Sequence, residues 1–256
     1  MIEYEIINNV GKITFNRPEK FHSINTEFAN TLIEYIKDNA SNNEVKSILI
    51  TAKGKAFCAG QDLGEFNDPT KIDFEKVLDS NYHPIIQSIR NVEKPVIAAV
   101  NGVAAGAGAS IALCCDIIIA SENATFTQAF SKIGLIPDSA STFFLPRTIG
   151  LHKAAGLMMT GDIISAKEAL NIGMVYKVYN PKDFEIKSLE FASKLSQMPS
   201  QSIKRIKKLL NQSFKNNLES QLNLEKKYQI ECGKTQDFKE GIKAFIEKRK
   251  PKFTGN

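Results

Sequence analysis

The sequence predicts an α/β fold in which helices cover a sheet. Short apolar runs alternate with segments whose apolar residues recur at helical spacing, and this alternation is typical of that fold class. The 256-residue chain is 43% hydrophobic and 24% charged, a composition that suits a globular protein with a large core. Apolar runs stop after residues 174–178, so we expect a sheet-containing core, residues 1–197, and a helical region, residues 198–256.

The strands can be placed from their apolar runs. Residues 2–7 and 12–15 flank the turn-forming sequence Asn-Asn-Val-Gly, which predicts a β-hairpin. The later runs are short and bounded by polar residues or prolines, as buried strands are. They predict strands at residues 46–51, 95–100, 116–120 and 174–178.

The helices are predicted from apolar residues that repeat on one face. Phe28, Leu32, Ile33 and Ile36 share such a face and predict a helix over residues 26–39. Pro84 lies inside the next pattern, where it predicts a kink or a break. The later helical patterns cover residues 73–91, 182–196, 202–214, 218–232 and 237–249.

Residues 101–116, NGVAAGAGASIALCCD, consist mainly of Gly and Ala. Small residues let a ligand or another backbone approach the main chain closely. A turn that opens a helix also leaves N–H groups unpaired at the positive end of the helix dipole. The segment therefore suits binding of a carbonyl oxygen that becomes negative during a reaction, although a close-packed buried helix without a ligand is an equal interpretation.

Net charge, cysteine spacing and the lack of long apolar runs limit the classes of protein to which the chain can belong. The net charge is +5, and the basic excess lies at residues 204–208 and 248–250, which are solvated helix faces or contacts for phosphate. The four cysteines lack the spacing of a metal or redox site, so we expect buried free thiols and a cytoplasmic protein. We find neither a signal peptide pattern nor a run of about 18 apolar residues, so no membrane segment is expected.

Six segments, in order along the chain, resemble the signatures of the crotonase (enoyl-CoA hydratase/isomerase) superfamily. They are NRPEK at residues 16–20, KAFCAGQDL at 55–63, the segment 101–116, GLIP at 134–137, LPR at 145–147 and AFIEKR at 244–249. The stretches NGVAAGAGA, FSKIGLIPD and FTGN most resemble the ring 1,2-epoxyphenylacetyl-CoA isomerases. The resemblance implies a crotonase-like spiral of ββα units, followed by helices that form a homotrimer or a dimer of trimers.

The resemblance also implies a site that binds an acyl-CoA thioester. The backbone N–H groups of Gln61 and Ala107 would hold the thioester oxygen as an oxyanion hole, and Asp138 would be the acid/base. No separate cofactor and no metal are expected, because the CoA thioester is the substrate. The residues expected to contact substrate or CoA are Lys20, Ala59, Asp62, Leu63, Gly106, Ser110, Phe130, Phe245 and Lys248.

Two expected contacts favour isomerisation over hydration. Hydratases of this superfamily use two glutamates, and the resemblance puts Ser110 and Phe130 at their places. Neither side chain can act as a base, and the phenyl ring makes the site drier, which favours moving a proton within the substrate. Asp138 is then the remaining carboxylate, with an ordinary helix N-cap as its alternative role.

Other interpretations stay open at this point. An enoyl-CoA hydratase, an inactive trimer and an RNA-binding relative are alternatives to the isomerase, and the basic runs would serve RNA, although nucleic acid is the less favoured partner. Ser110, Asp138 and His152 follow the chain order of a hydrolase triad, but Ser110 is expected inside a helix and not at a sharp turn. Asp62 is equally a cap. Phe245 and Lys248, which would reach a neighbouring subunit's CoA, are alternatively a core residue and a solvated one.

Overall fold

Ten strands and eleven α-helices lie in residues 1–66 and 68–256, which the computed structural model describes. The strands are β1 (Ile2–Ile7), β2 (Val10–Phe15), β3 (Ser47–Ala52), β4 (Ala56–Cys58), β5 (Val96–Val100), β6 (Val103–Ala105), β7 (Ile117–Ser121), β8 (Thr125–Thr127), β9 (Ile163–Ser165) and β10 (Lys177–Tyr179). The helices are α1 (Thr26–Ser41), α2 (Phe74–Val77), α3 (His83–Asn91), α4 (Ala107–Cys114), α5 (Ser141–Ile149), α6 (Leu151–Thr160), α7 (Ala166–Asn171), α8 (Phe184–Ser196), α9 (Ser200–Ser213), α10 (Leu218–Cys232) and α11 (Gln236–Ile246).

The main sheet has the strand order β1-β2-β3-β5-β7-β10. β1 and β2 form the predicted antiparallel hairpin, and the other neighbours pair in parallel. Asn8 and Asn9 have φ of 51° and 63°, the left-handed conformation that Asn tolerates in tight hairpin turns. The last strand lies later than the predicted residues 174–178, because the N–H groups of Met174 and Val175 donate to the Ala169 carbonyl at the end of α7.

A second sheet, β4-β6-β8-β9, was not predicted from the sequence. Each of its strands has three residues, which is too short for an alternating pattern to be recognised. β4, β6 and β8 are parallel, so the carboxyl ends of β4 and β6 lie side by side. The short helices α5, α6 and α7 also escaped prediction.

Pro84 alters its helix without breaking it. α2 continues into α3 through a π-helical turn, Leu78–Tyr82, in which the His83 N–H donates to the Leu78 carbonyl. Pro84 then lies at the second residue of α3, directly after this turn, so its ring and its missing N–H come where the regular hydrogen-bond ladder is interrupted. The wider turn is the form that the predicted kink takes, and it sets the direction of the side chains just before the proline.

The core lies on both faces of the main sheet, because alternate residues of a strand point to opposite faces. Ile48 and Ile50 of β3 belong to the larger apolar cluster, which includes residues of α1, α3 and α4. Leu49 belongs to a smaller cluster with Phe184 and Ala192 of α8. The small-residue helix α4 is completely buried, so the close-packed part of its interpretation is correct.

The last strand ends at Tyr179, and α8, which packs Phe184 and Ala192 against the main sheet, lies between it and the three C-terminal helices. α9, α10 and α11 follow one another with short connections, close to the predicted bounds. Within the described residues, none of the helices has the length and apolar character needed to cross a membrane.

Candidate active site

Two backbone segments meet at the ends of β4 and β6. Gly60 follows β4 with φ of +90°, and Gly106 follows β6 with φ of +52°. A Cβ on Gly60 would lie 3.3 Å from the Ala107 nitrogen and 3.1 Å from the Ala105 oxygen. Glycine is therefore required at position 60, because φ is positive and there is no room for a Cβ. This close approach puts the residue before Gln61 against the start of α4.

The N–H groups of Gln61 and Ala107 are both left without a partner in the described chain. The Ile24 N–H donates to the Gly60 carbonyl (2.7 Å), and the Asp62 N–H donates to the Ile24 carbonyl (2.9 Å). Neighbouring N–H groups of an extended segment alternate in direction, so that of Gln61 points away from Ile24. Ala107 is the first residue of α4 and has no intrahelical acceptor. Together with the positive end of α4, the pair suits an oxyanion.

Asp138 presents a half-buried carboxylate that does not cap a helix. α5 begins at Ser141, its N-cap position is Ala140, and no side chain caps it. The backbone carbonyl of Asp138, not its carboxylate, accepts from the Ser141 N–H (3.0 Å) and hydroxyl (2.9 Å). The N-cap alternative is therefore wrong, because Ser139 and Ala140 adopt φ of 51° and 61° and turn the chain before the helix starts. Such conformations concentrate at functional sites.

The environment of Asp138 favours its protonated form more than water would. Burial raises the pKa of the Asp138 carboxyl, and the Ser139 hydroxyl, which donates to Oδ1 at 2.9 Å, and the nearby charge of His83 oppose this shift. A carboxylate with a raised pKa is a stronger base than an exposed one, and in its protonated form it is an acid. A group that takes a proton and then returns it needs both properties.

Tyr82 contacts Gln61, in the candidate oxyanion segment (residues 60–62), and lies near Asp138. Its hydroxyl donates to Oε1 of Gln61 at 2.8 Å, and the side chain is 2% exposed. Burial raises the pKa of Tyr82, and the nearby carboxylates of Asp138 and Glu65 raise it further. Sequence analysis missed Tyr82, because this residue lies 21 residues from Gln61 and is oriented by the π-helical turn.

Comparison with known proteins decides the family. Residues 5–256 match the sequence model of a family described as enoyl-CoA hydratase/isomerase. The chain belongs to the enoyl-CoA hydratase/isomerase family. It is therefore an enzyme of the crotonase superfamily, as the six sequence segments predicted.

Individual relatives cover the whole chain and carry different activities. A probable enoyl-CoA hydratase of Rhodobacter capsulatus is 40% identical over 254 residues, which are 99% of this chain and 98% of that protein. A 1,2-epoxyphenylacetyl-CoA isomerase of Escherichia coli is 40% identical over 262 residues, which cover both proteins completely. The crystal structure of an enoyl-CoA hydratase from Bacillus anthracis superposes with a TM-score of 0.93 at 31% identity, covering 100% of this chain and 99% of that one. The predicted crotonase-like α/β fold with C-terminal helices is confirmed.

Phe130 and Ser110, which the resemblance puts at the places of the two hydratase glutamates, are both buried. Phe130 is 8% exposed, and its ring lies 3.7 Å from the position that a Cβ on Gly106 would take, so an apolar wall faces the turn before Ala107. Ser110 is fully buried within α4, and its hydroxyl donates to the Gly106 carbonyl at 3.1 Å. No hydrogen bond joins Ser110 to His152 in the described residues, and a helical serine bonded in this way lacks the elbow of a hydrolase nucleophile.

Asp62 fixes the loop that follows Gln61. Its Oδ2 lies 2.7 Å from Nη1 of Arg17, and its Oδ1 accepts from the Gly64 N–H at 3.0 Å. Both carboxylate oxygens thus have partners within the protein, as the capping interpretation requires, and Asp62 is placed to fix the loop. Lys20, Ala59 and Leu63 are exposed.

Phe245 and Lys248 lie in the C-terminal region, on α11 and just after its end. Phe245 is 84% exposed, so in a single chain it is not the core residue that its alternative interpretation required. Lys248 is also exposed, with φ of 53°. An aromatic side chain this exposed is available to a second chain or to a ligand.

Proposed function

We propose that this enzyme isomerises acyl-CoA thioesters through a thioester enolate, with 2-(1,2-epoxy-1,2-dihydrophenyl)acetyl-CoA, a 3-enoyl-CoA or both as substrate. The observation that carries the proposal is the environment of Asp138. It is a half-buried carboxylate with a raised pKa, it is not used as a helix cap, and it lies near Tyr82 beside the oxyanion segment.

The proposed reaction uses the site as follows. The thioester oxygen accepts from the N–H groups of Gln61 and Ala107, which stabilise the negative charge as the enolate forms. With a 3-enoyl-CoA, Asp138 removes a proton from one substrate carbon and returns it to another. With the epoxide, protonated Asp138 donates to the epoxide oxygen as the ring opens. Phe130 keeps water away from the enolate, so that it is reprotonated and not hydrated.

The second candidate is an enoyl-CoA hydratase, and one observation favours it. The probable hydratase of Rhodobacter capsulatus and the Escherichia coli isomerase are each 40% identical to this chain. Against hydration, the addition of water needs one group to orient and deprotonate the water and another to protonate the enolate. Ser110 and Phe130 supply no carboxylate for either step.

We also propose that the enzyme acts as a homotrimer or a dimer of trimers, with Phe245 and Lys248 reaching the CoA of a neighbouring subunit. The exposure of Phe245 supports this proposal, and so do the other exposed apolar side chains of α9 to α11. Acyl-CoA is then the ligand shared between subunits.

The deciding experiment is a substrate panel with product analysis. Ring-epoxyphenylacetyl-CoA, 3-enoyl-CoA and crotonyl-CoA are offered to the wild type, to Asp138→Asn and to the exposed control Glu122→Gln. We expect isomerisation to fall about a hundredfold to ten-thousandfold in Asp138→Asn, with CoA-ester binding almost unchanged and Glu122→Gln like the wild type.

Two results would contradict the proposal. Wild-type turnover by Asp138→Asn on every substrate would remove Asp138 from the reaction. Hydration of crotonyl-CoA by the wild type faster than any isomerisation would replace the isomerase with the hydratase.

A further inference from the structure

The side chain of Gln61 is held at both ends, although its proposed role in the reaction belongs to its backbone. Oε1 accepts from the Tyr82 hydroxyl at 2.8 Å, and Nε2 donates to the Ile24 carbonyl at 3.1 Å. Ile24 is fully buried and is the residue that pairs with Gln61 in the isolated parallel bridge. One side chain therefore links the oxyanion segment to the helix that contains Tyr82.

The π-helical turn makes this link possible. Tyr82 is the last residue of the turn, and the extra residue in the turn rotates it relative to a regular helix of the same length. Its neighbour Asn81 is also buried and donates to the Thr26 hydroxyl at 3.3 Å, so the turn is fixed to the start of α1 as well. The hydroxyl of Tyr82 is thus presented by rigid structure and not by a loop.

We propose that Tyr82 is a positioning residue of the oxyanion hole, which sets the direction of the Gln61 N–H through its hydrogen bond to the Gln61 side chain. The proposal rests on the proposed function only in taking the Gln61 N–H as an oxyanion donor. That donor serves isomerisation and hydration alike, so the two proposals can fail separately.

The physical reason is the orientation that an oxyanion donor needs. A backbone N–H stabilises the enolate only when it is aimed at the oxygen before the reaction starts. Without the Tyr82 hydroxyl, Oε1 of Gln61 is left as an acceptor without its partner, and the side chain turns to find another. Because burial raises the pKa of Tyr82, its hydroxyl stays protonated and remains a donor at the pH at which Asp138 works.

The test compares two Tyr→Phe variants. Tyr82→Phe removes the contact, and Tyr4→Phe is the matched control, since the Tyr4 hydroxyl donates to the amide oxygen of Asn39 at 3.0 Å on α1. Loss of a whole oxyanion donor costs about a hundredfold to a thousandfold in kcat, so we expect misalignment to cost about tenfold. KM changes little in Tyr82→Phe, and both constants stay at the wild-type level in Tyr4→Phe.

Gln61→Met supplies the second arm, because it keeps the backbone N–H and removes the side-chain hydrogen bonds, among them those with Tyr82 and Ile24. We expect its kcat to fall as in Tyr82→Phe, and the double variant to be no slower than Gln61→Met, since the two residues act through one contact. If Tyr82→Phe does not fold, Gln61→Met alone carries the test, and wild-type kcat in Gln61→Met overturns the proposal.

A spectroscopic readout separates alignment from general damage. The infrared carbonyl band of a bound saturated acyl-CoA, labelled with ¹³C at the thioester, reports polarisation by the oxyanion donors. We expect the band to move back toward its value in water in Tyr82→Phe and to stay at the wild-type value in Tyr4→Phe. A wild-type band together with a wild-type kcat in Tyr82→Phe overturns the proposal. A shift in the acid limb of its pH–rate profile also overturns it, because Tyr82 would then act by changing the pKa of Asp138.

The assay uses whichever reaction of the panel the wild type performs fastest. If that reaction is hydration, the proposed isomerase function fails. The same comparison of Tyr82→Phe with Tyr4→Phe is then made with crotonyl-CoA as the substrate.

Discussion

The sheet-containing core and the C-terminal helices bury different kinds of residue. α1 buries Phe28, Ala29, Leu32, Ile33 and Ile36 along one face, as the pattern of a core helix requires. In the described chain, the buried residues of α9 to α11 are Lys207, Asp237 and Ala244. Meanwhile large apolar side chains of the same three helices lie in solvent, among them Leu210, Leu218, Leu222 and Phe245.

The difference indicates two ways of holding structure together. The core is stabilised by removal of apolar surface from water. The C-terminal helices are attached through polar anchors: Nζ of Lys207 lies 2.8 Å from Oδ2 of Asp116 and donates to the carbonyls of Ile89 (2.9 Å) and Lys94 (3.1 Å). Their apolar faces are left for a further surface, as expected of an oligomerisation region.

The largest effect is expected in the core. Phe28 is fully buried and packs edge-to-face on Phe15, with ring centroids 4.8 Å apart. Phe28→Ala should lower the free energy of unfolding by about 3–5 kcal/mol, because it removes apolar contacts and leaves a cavity. The exposed Phe245→Ala is the matched control and should change it by less than about 0.5 kcal/mol in the single chain. Urea unfolding at fixed protein concentration measures both, and equal losses would erase the contrast between the regions.

The second prediction removes the anchor of α9. Lys207→Met leaves Asp116 with Arg90 and the Val96 N–H as its remaining partners and removes the Lys207 donor from the Ile89 and Lys94 carbonyls. We expect a loss of about 3 kcal/mol and faster proteolysis within α9 to α11. Lys208→Met is the control, since Lys208 pairs with Glu93 at the surface and should contribute less than about 1 kcal/mol. If both variants behave alike, Lys207 is not the anchor.

The third prediction concerns the uncovered apolar faces. The wild type should have three or six times the 28.4 kDa mass of one chain in light scattering. Leu222→Asp, on a 54% exposed position of α10, should reduce that mass, because a charge then lies within an apolar interface. Ile186→Asp, on a 63% exposed position of α8, should not. A wild-type mass of a single chain at micromolar concentration would contradict the trimer.

The same contrast explains how much could be predicted from the sequence. The main-sheet strands and the long helices were recognisable, because runs such as SILITA and the spacing of Phe28, Leu32 and Ile36 determine which face is buried. The second sheet was not, since strands such as AFC and TFT carry too few residues for a pattern. That Ala244 is the one apolar residue of α9 to α11 buried in the described chain was visible only in the structure, because the helical patterns of these helices resemble those of the core.

The candidate site divides in the same way. The glycines beside the candidate oxyanion hole and Asp138 could be proposed from the sequence, because they lie in segments that resemble signatures of the family. The role of Asp138 depended on the positive φ of Ser139 and Ala140, residues that rarely adopt it, so the N-cap alternative could not be excluded beforehand. The contact between Tyr82 and Gln61 depended on a π-helical turn, for which Pro84 predicted a disturbance but not its form.

The smallest predicted effect is a pH dependence of stability that arises in the sheet-containing core and not in residues 198–256. The histidines of the chain are His22, His83 and His152, so residues 198–256 contain none. His22 is fully buried in the core. Its Nδ1 accepts from the Arg17 N–H at 3.0 Å, and Nε2 lies 2.7 Å from the Lys53 carbonyl, an arrangement that fits the neutral ring with its proton on Nε2. Burial lowers the pKa of His22 below its usual 6.5.

The direction of the effect follows from proton binding. Below about pH 6.5 the unfolded chain binds a proton at His22 that the folded chain does not, so unfolding is favoured as the pH falls. The stability from His22 is therefore complete above that pH and is lost below it. Asp138 acts in the opposite sense at lower pH, because its pKa is raised in the folded chain. The informative quantity is thus the difference in urea midpoint between the wild type and His22→Asn from about pH 7 to pH 5.5. That difference should shrink as the pH falls, and a constant difference would mean that the buried ring of His22 does not make the core sensitive to acid.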